Sequence, residues 1–180
     1  MGTPKPLLDY RGETFLNRLI RVLGTVCDPV IAVLGYHADE IQRGAIGPAR
    51  FVVNPNPSRG QLSSLQTALA EVPAEAEGFL FMPVDCPSVE SATVAKIVEA
   101  LRAPANPLLV IPQHDGEHGH PVCGRRELIA EFLALPAEGR AKEVVYRHKD
   151  ATYYLDTADS GVLSDIDDPE AYRILQESKR

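Results

Sequence analysis

Asp85 directly follows GFLFMPV (78–84), the most apolar run in the chain. An acid at the carboxyl end of a buried strand stands at the rim of a sheet. There it can hold Mg²⁺, which takes a few hard oxygens and keeps its other positions for water and phosphate. The same residue would also serve simply to shape the turn into CPSVES. A second acidic segment is SDIDDPE (164–170). In extended backbone Asp165 and Asp167 fall on one side and Ile166 on the other, so the pair can complete a metal site with Asp85. Acids near a helix start also favour its dipole, and Asp168 ahead of Pro169 reads as a helix cap.

Three further stretches carry chemistry. RGQLSSL (59–65) sets Gly60, Ser63 and Ser64 at the entry to a helix, where unpaired amides suit an anion or the polar edge of a base. Either serine also works as an ordinary N-cap. HDGEHGHPV (114–122) brings His114, His118 and His120 close in sequence, but no distal Cys/His set gives the spacing of a zinc site, and a Gly-rich substrate loop is the better reading. Lys5, with Arg11, supplies the positive charge of the opening segment. An ammonium ~4 Å from a phosphate gains ~4 kcal/mol at an effective dielectric near 20, before desolvation; a solvated surface lysine is the alternative.

These residues need elements to place them. Buried apolar strands are read at 29–35, 51–53, 78–84 and 107–112. Amphipathic helices are read after Thr14, across 37–43, from Leu62 to Val72, from Val94 to Leu101, at 128–133, and from Pro169 onward. Alternation of this kind predicts a three-layer α/β/α, Rossmann-like fold with a mostly parallel sheet, in a single domain over 1–180. The functional loops then belong at the carboxyl ends of the strands. The 44% hydrophobic and 24% charged content is that of a globular chain. Three well-separated cysteines predict reduced thiols and a cytoplasmic protein. A net charge of −7 without a basic tract argues against nucleic acid, and no apolar stretch approaches a membrane span.

In their order and spacing, MGTPK (1–5), GQLSSL, VDCP (84–87), GHPV (119–122) and DIDDPEAY (165–172) resemble the MobA-like nucleotidyltransferases of molybdenum cofactor maturation. The resemblance runs from residue 2 to about 175. Members typically open with a strand and a pattern close to L-A-A-G-x-S-x-R-M-G-x-P-K, of which only the end stands here. The resemblance therefore implies that the first strand and the Gly-rich triphosphate loop are missing. A late start codon, a choice of expressed segment and a natural truncation are the alternatives. That strand would lie between those at 29–35 and 78–84, which are expected either to close up or to have the gap filled by another segment, since buried ladder groups need partners.

The resemblance also implies a mechanism. A phosphate on molybdopterin or molybdenum cofactor attacks the α-phosphorus of a nucleoside triphosphate, and pyrophosphate leaves. Asp85 would hold Mg²⁺ with Asp165 or Asp167, and Lys5 would neutralise phosphate charge. Gly60, Ser63 and Ser64 would approach the nucleotide, and Gly119, His120 and Pro121 would face the pterin. Guanylyl members usually carry GG-x-DK and GPLAG where this chain has GTPK and GQLSSL, so CTP is expected over GTP. The product would serve molybdenum hydroxylases of the xanthine dehydrogenase kind. The other readings are a sugar-phosphate nucleotidyltransferase and a non-catalytic pterin-binding assembly factor.

Overall fold

The structure, a computed structural model, describes residues 2–177, so Met1 and residues 178–180 of the expected domain lie outside it. A hairpin of β1 (Asp9–Tyr10) and β2 (Glu13–Thr14) leads into α1 (Phe15–Leu23), where the Thr14 hydroxyl accepts from the Asn17 amide at 3.2 Å. Then follow β3 (Ile31–Leu34), α2 (Ala38–Gly44), β4 (Arg50–Val53), α3 (Gln61–Leu69), β5 (Gly78–Phe81), α4 (Ser91–Leu101) and β6 (Leu109–His114), the alternation that the apolar spacing predicts. The chain continues through β7 (Glu117–His118), β8 (Val122–Arg125), α5 (Ile129–Leu133), α6 (Lys142–Arg147), β9 (Thr152–Asp156) and α7 (Pro169–Glu177). The last helix is capped by Asp168, whose carboxylate accepts from the Ala171 amide at 2.8 Å.

The architecture is three-layer α/β. β3 and β4 pair in parallel; the larger sheet runs β5–β8–β6, with β9 beside β6 and the short β7 closing a hairpin. Because β8 pairs antiparallel with both β5 and β6, those two share a direction, and β9 joins it by pairing parallel with β6. The strands at 29–35 and 78–84 do not close up. β3 pairs with β4 and β5 with β8, and among the described residues no other strand bridges them. The physical reason lies in the helices. α1 sets Leu16 and Ile20 against Val30, Ala32 and Leu34, and sets Val22 against Val89, Val94 and Val162 beside α4. Side chains already packed on both sides fix the spacing, and closing the sheets would expel them.

Residues 157–167 form a strap over the carboxyl ends of the strands. Asp159 accepts from the Glu90 amide at 2.9 Å, the Thr93 hydroxyl at 2.7 Å and the Gly161 amide at 2.9 Å. It thereby ties the strap to the start of α4. Further along, the Val162 carbonyl accepts from the His120 amide at 2.9 Å, and the Asp85 carbonyl accepts from the Ile166 amide at 2.9 Å. Gly119 sits directly beneath: a Cβ there would stand 2.2 Å from the Val162 carbonyl oxygen. The strap closes over Gly119 because no side chain is present. Gly119→Ala is therefore expected to lower stability by about 1–3 kcal/mol, read as a fall in thermal midpoint.

Candidate functional site

The loop after β5 delivers Asp85, and two neighbours hold that loop. Arg18 on α1 is buried (6% exposed) and donates to the Pro87 and Val89 carbonyls while its guanidinium lies over the Tyr10 ring. The Ile166 amide fixes the backbone of Asp85 itself. Ile166 is 4% exposed and packs with Leu8, Tyr10, Phe15 and Leu175. Burying this one apolar side chain turns both flanking acids outward, as the extended pattern predicts.

Asp85, Asp165 and Asp167 thus meet, each offering a carboxylate oxygen within 4.8 Å of the others'. It is the one such group among the described residues. Hard oxygen donors without His or Cys fit Mg²⁺ or Mn²⁺ and do not fit a structural zinc. Burial, then the charges of Asp85 and Asp167, push the Asp165 carboxyl above its ordinary value, against the pull of Lys5. Asp167 moves the other way, held below its ordinary value by the hydrogen bond from Lys5 and by the charge of that lysine. Lys5 Nζ lies 2.6 Å from Asp167 and 3.8 Å from Asp85.

His120 is half-buried, its ring edge-on to Phe81 with centroids 5.9 Å apart. Burial holds its imidazole below the ordinary 6.5, while the nearby Asp85 pulls the other way, so its preferred form at neutral pH is uncharged. Gly119 and Pro121 are buried. Both flank His120 where this segment passes under the strap. The other histidines go elsewhere. His114 pairs with the Thr157 carbonyl at 2.9 Å, and His118 stacks on Tyr154 with centroids 4.2 Å apart.

The turn at 59–65 is built differently from the expectation. Gly60 adopts φ +80°, left-handed backbone that suits glycine, and the first amides of α3, those of Gln61 and Leu62, emerge from the helix end. Ser63 faces inward, with its hydroxyl against the Gly60 carbonyl (2.8 Å) and the Asn56 carbonyl (3.2 Å). This corrects its expected contact with the base: the hydroxyl is consumed in shaping the turn. Asn54, 3% exposed, donates to both serine hydroxyls, at 2.8 Å and 3.1 Å. Ser64 receives that bond and retains its own proton to donate. No hydrogen bond or ion pair among the described residues ties this turn to the acidic cluster.

Sequence reading missed Arg18, Asn54 and Asp159. Arg18 carried a usable signal, a charge on the apolar face of α1 between Phe15 and Leu19. Asn54 and Asp159 sit in polar loops, where a buried side chain looks like any solvated one.

Comparison with known proteins sets this geometry in a family. The MobA-like NTP transferase domain matches residues 1–152, a span that holds Lys5, Asp85, the 59–65 turn and His120 but not Asp165 or Asp167. A protein of Rhodopirellula baltica named probable molybdenum cofactor guanylyltransferase is 32% identical over 131 residues, 69% of this chain and 60% of that one. The chain spans about 60% of the length of the curated relatives it matches. Among solved structures, that of Rv0371c from Mycobacterium tuberculosis H37Rv superposes with a TM-score of 0.85 at 30% identity, covering 98% of this chain and 90% of that one. The same protein in complex with manganese gives a TM-score of 0.82 at 29% identity, covering 98% and 93%. The likeness to these structures extends past residue 152 and takes in the strap. Matched over residues 1–152 and alike in fold across nearly its whole length, this chain belongs to the MobA-like NTP transferase domain family.

Proposed function

We propose that this chain is a nucleotidyltransferase that moves a nucleotide from a nucleoside triphosphate to the phosphate of molybdopterin or molybdenum cofactor, with pyrophosphate as the second product. The observation that carries the reading is the three-carboxylate cluster with a lysine beside it, placed at the strand ends of a fold whose family is named for NTP transfer. Phosphoryl-type transfers ask for positioning and charge neutralisation more than covalent help. Asp85, Asp165 and Asp167 would hold Mg²⁺, which supplies charge neutralisation on the phosphates. Lys5 offers a mobile ammonium to the same phosphates. The amides at the start of α3 and the Ser64 hydroxyl offer donors to the nucleotide, and neutral His120 lines the wall toward the acceptor. We assign the work to a single domain acting in the cytoplasm and supplying molybdenum hydroxylases.

CTP is the nucleotide we favour, because this turn carries serines where guanylyl members usually carry GPLAG, and of the two Ser64 keeps a hydroxyl proton to donate. GTP is the second reading, supported by the guanylyltransferase names of two curated relatives. Calorimetric titration with each nucleotide, with and without Mg²⁺, decides between them: Mg²⁺-dependent binding of CTP alone supports the first, and of GTP alone the second. Asp85→Asn is expected to abolish the metal dependence and to lower the rate of pyrophosphate release at least 100-fold. Wild-type transfer retained by this variant would remove the cluster from the mechanism.

The same titration has a pH signature. A proton on Asp165 competes with the metal, and the carboxyl of Asp165 holds that proton to a higher pH than an ordinary aspartate. Metal-dependent binding is therefore expected to weaken on acidification earlier than an unperturbed carboxylate would dictate, and Asp165→Asn should remove that early phase.

A further inference from the structure

Lys5 does not point toward open solvent. Its ammonium is 2.6 Å from Asp167 and 3.8 Å from Asp85, and these are two of the three carboxylates in the cluster. Its backbone is fixed. Pro4 and Pro6 flank it, the Leu8 amide donates to its carbonyl at 3.1 Å, and Leu8 packs in the same apolar cluster as Ile166. The side chain is the movable part, four methylenes carrying one charge, with about a third of its surface exposed.

We infer that Lys5 is the resident cation of the acidic cluster, and that the cluster takes up a divalent metal together with a nucleoside triphosphate rather than ahead of it. The inference rests on the metal-dependent reading above and adds an order to it. Three carboxylates this close repel one another, and the ammonium offsets part of that repulsion in the resting protein. A metal entering alone meets a positive charge already hydrogen-bonded to Asp167 and must displace it into water. A triphosphate changes the balance, because its phosphates are a second anionic partner within the swing of the same side chain. Lys5 moves from carboxylate to phosphate, and its departure frees the carboxylates. One lysine thus serves two anions in turn, and the site discriminates against free metal.

The test is Mn²⁺ binding followed by electron paramagnetic resonance on the whole chain, first without nucleotide. Lys5→Met is expected to bind Mn²⁺ at least tenfold more tightly than wild type, while Lys5→Arg, which keeps the charge, stays at the wild-type affinity. Adding a non-hydrolysable CTP or GTP analogue, whichever binds, should shrink the gap between wild type and Lys5→Met. If wild type and Lys5→Met bind free Mn²⁺ equally well, the inference is overturned while the metal site stands. If neither binds Mn²⁺ with or without the analogue, the metal-dependent reading itself fails and takes this inference with it. Circular dichroism spectra of all three proteins, expected to superimpose, exclude a folding effect, while the thermal midpoint of Lys5→Met is expected to fall slightly as the carboxylate repulsion is left uncompensated.

Discussion

Like charges gather only where something holds them, and the mutual repulsion of Asp85, Asp165 and Asp167 is the constraint around which this structure is arranged. Each carboxylate is fixed by a contact that does not involve its own charge. For the strap pair, that contact is the burial of Ile166 between them. For Asp85 it is a backbone bond from that same Ile166 amide, with Arg18 fixing the following turn from below. One apolar residue therefore sets the separation of all three acids. Lys5 compensates for the charge but does not create the geometry. The opposite shifts of Asp165 and Asp167 fit this: burial and then the neighbouring acids raise Asp165 with only partial relief from the lysine, whereas the hydrogen bond from Lys5 lowers Asp167.

Helices perform a connection that strands do not. Among the described residues β3–β4 and the larger sheet share no ladder, yet α1 joins apolar clusters with both through different faces. Packing of this kind is non-directional and tolerates small shifts better than a hydrogen-bonded register. The Asp85 loop and the strap belong to the larger sheet, whereas the 59–65 turn and Asn54 border β3–β4. The acidic cluster and the amides of α3 thus rest on separate sheets joined by helix contacts.

The long apolar runs were legible because burial on both faces leaves nothing else to read. β3, β4, β5 and β6 follow from them, as do the helices at helical spacing and the caps at Thr14 and Asp168. β8 and β9 were not legible. VCGR carries a glycine, and TYYLD puts tyrosines beside polar ends, so neither shows a clean period. At the site, the alternation around Ile166 correctly turned Asp165 and Asp167 to one side. The inward turn of Ser63 was hidden, since which of two adjacent serines faces a loop depends on Asn54, nine residues upstream and across the turn. The expected closure of the two central strands failed for a similar reason, because helix faces already occupied on both sides have no trace in the strands themselves.

Lys5 and Asp167 are bonded although 162 positions separate them. During synthesis, therefore, β5 and β6 must wait for β8 and β9, whereas β3, β4 and α1 can pack early. The acidic centre cannot. Two of its three carboxylates arrive with the strap ahead of α7, and until then Lys5 has Asp85 alone beside it. A chain exposed only as far as β9 would hold the strands of both sheets with one acid of three. The chemistry thus becomes available only once the opening segment and the strap, 162 positions apart, have been brought together by the folded scaffold between them.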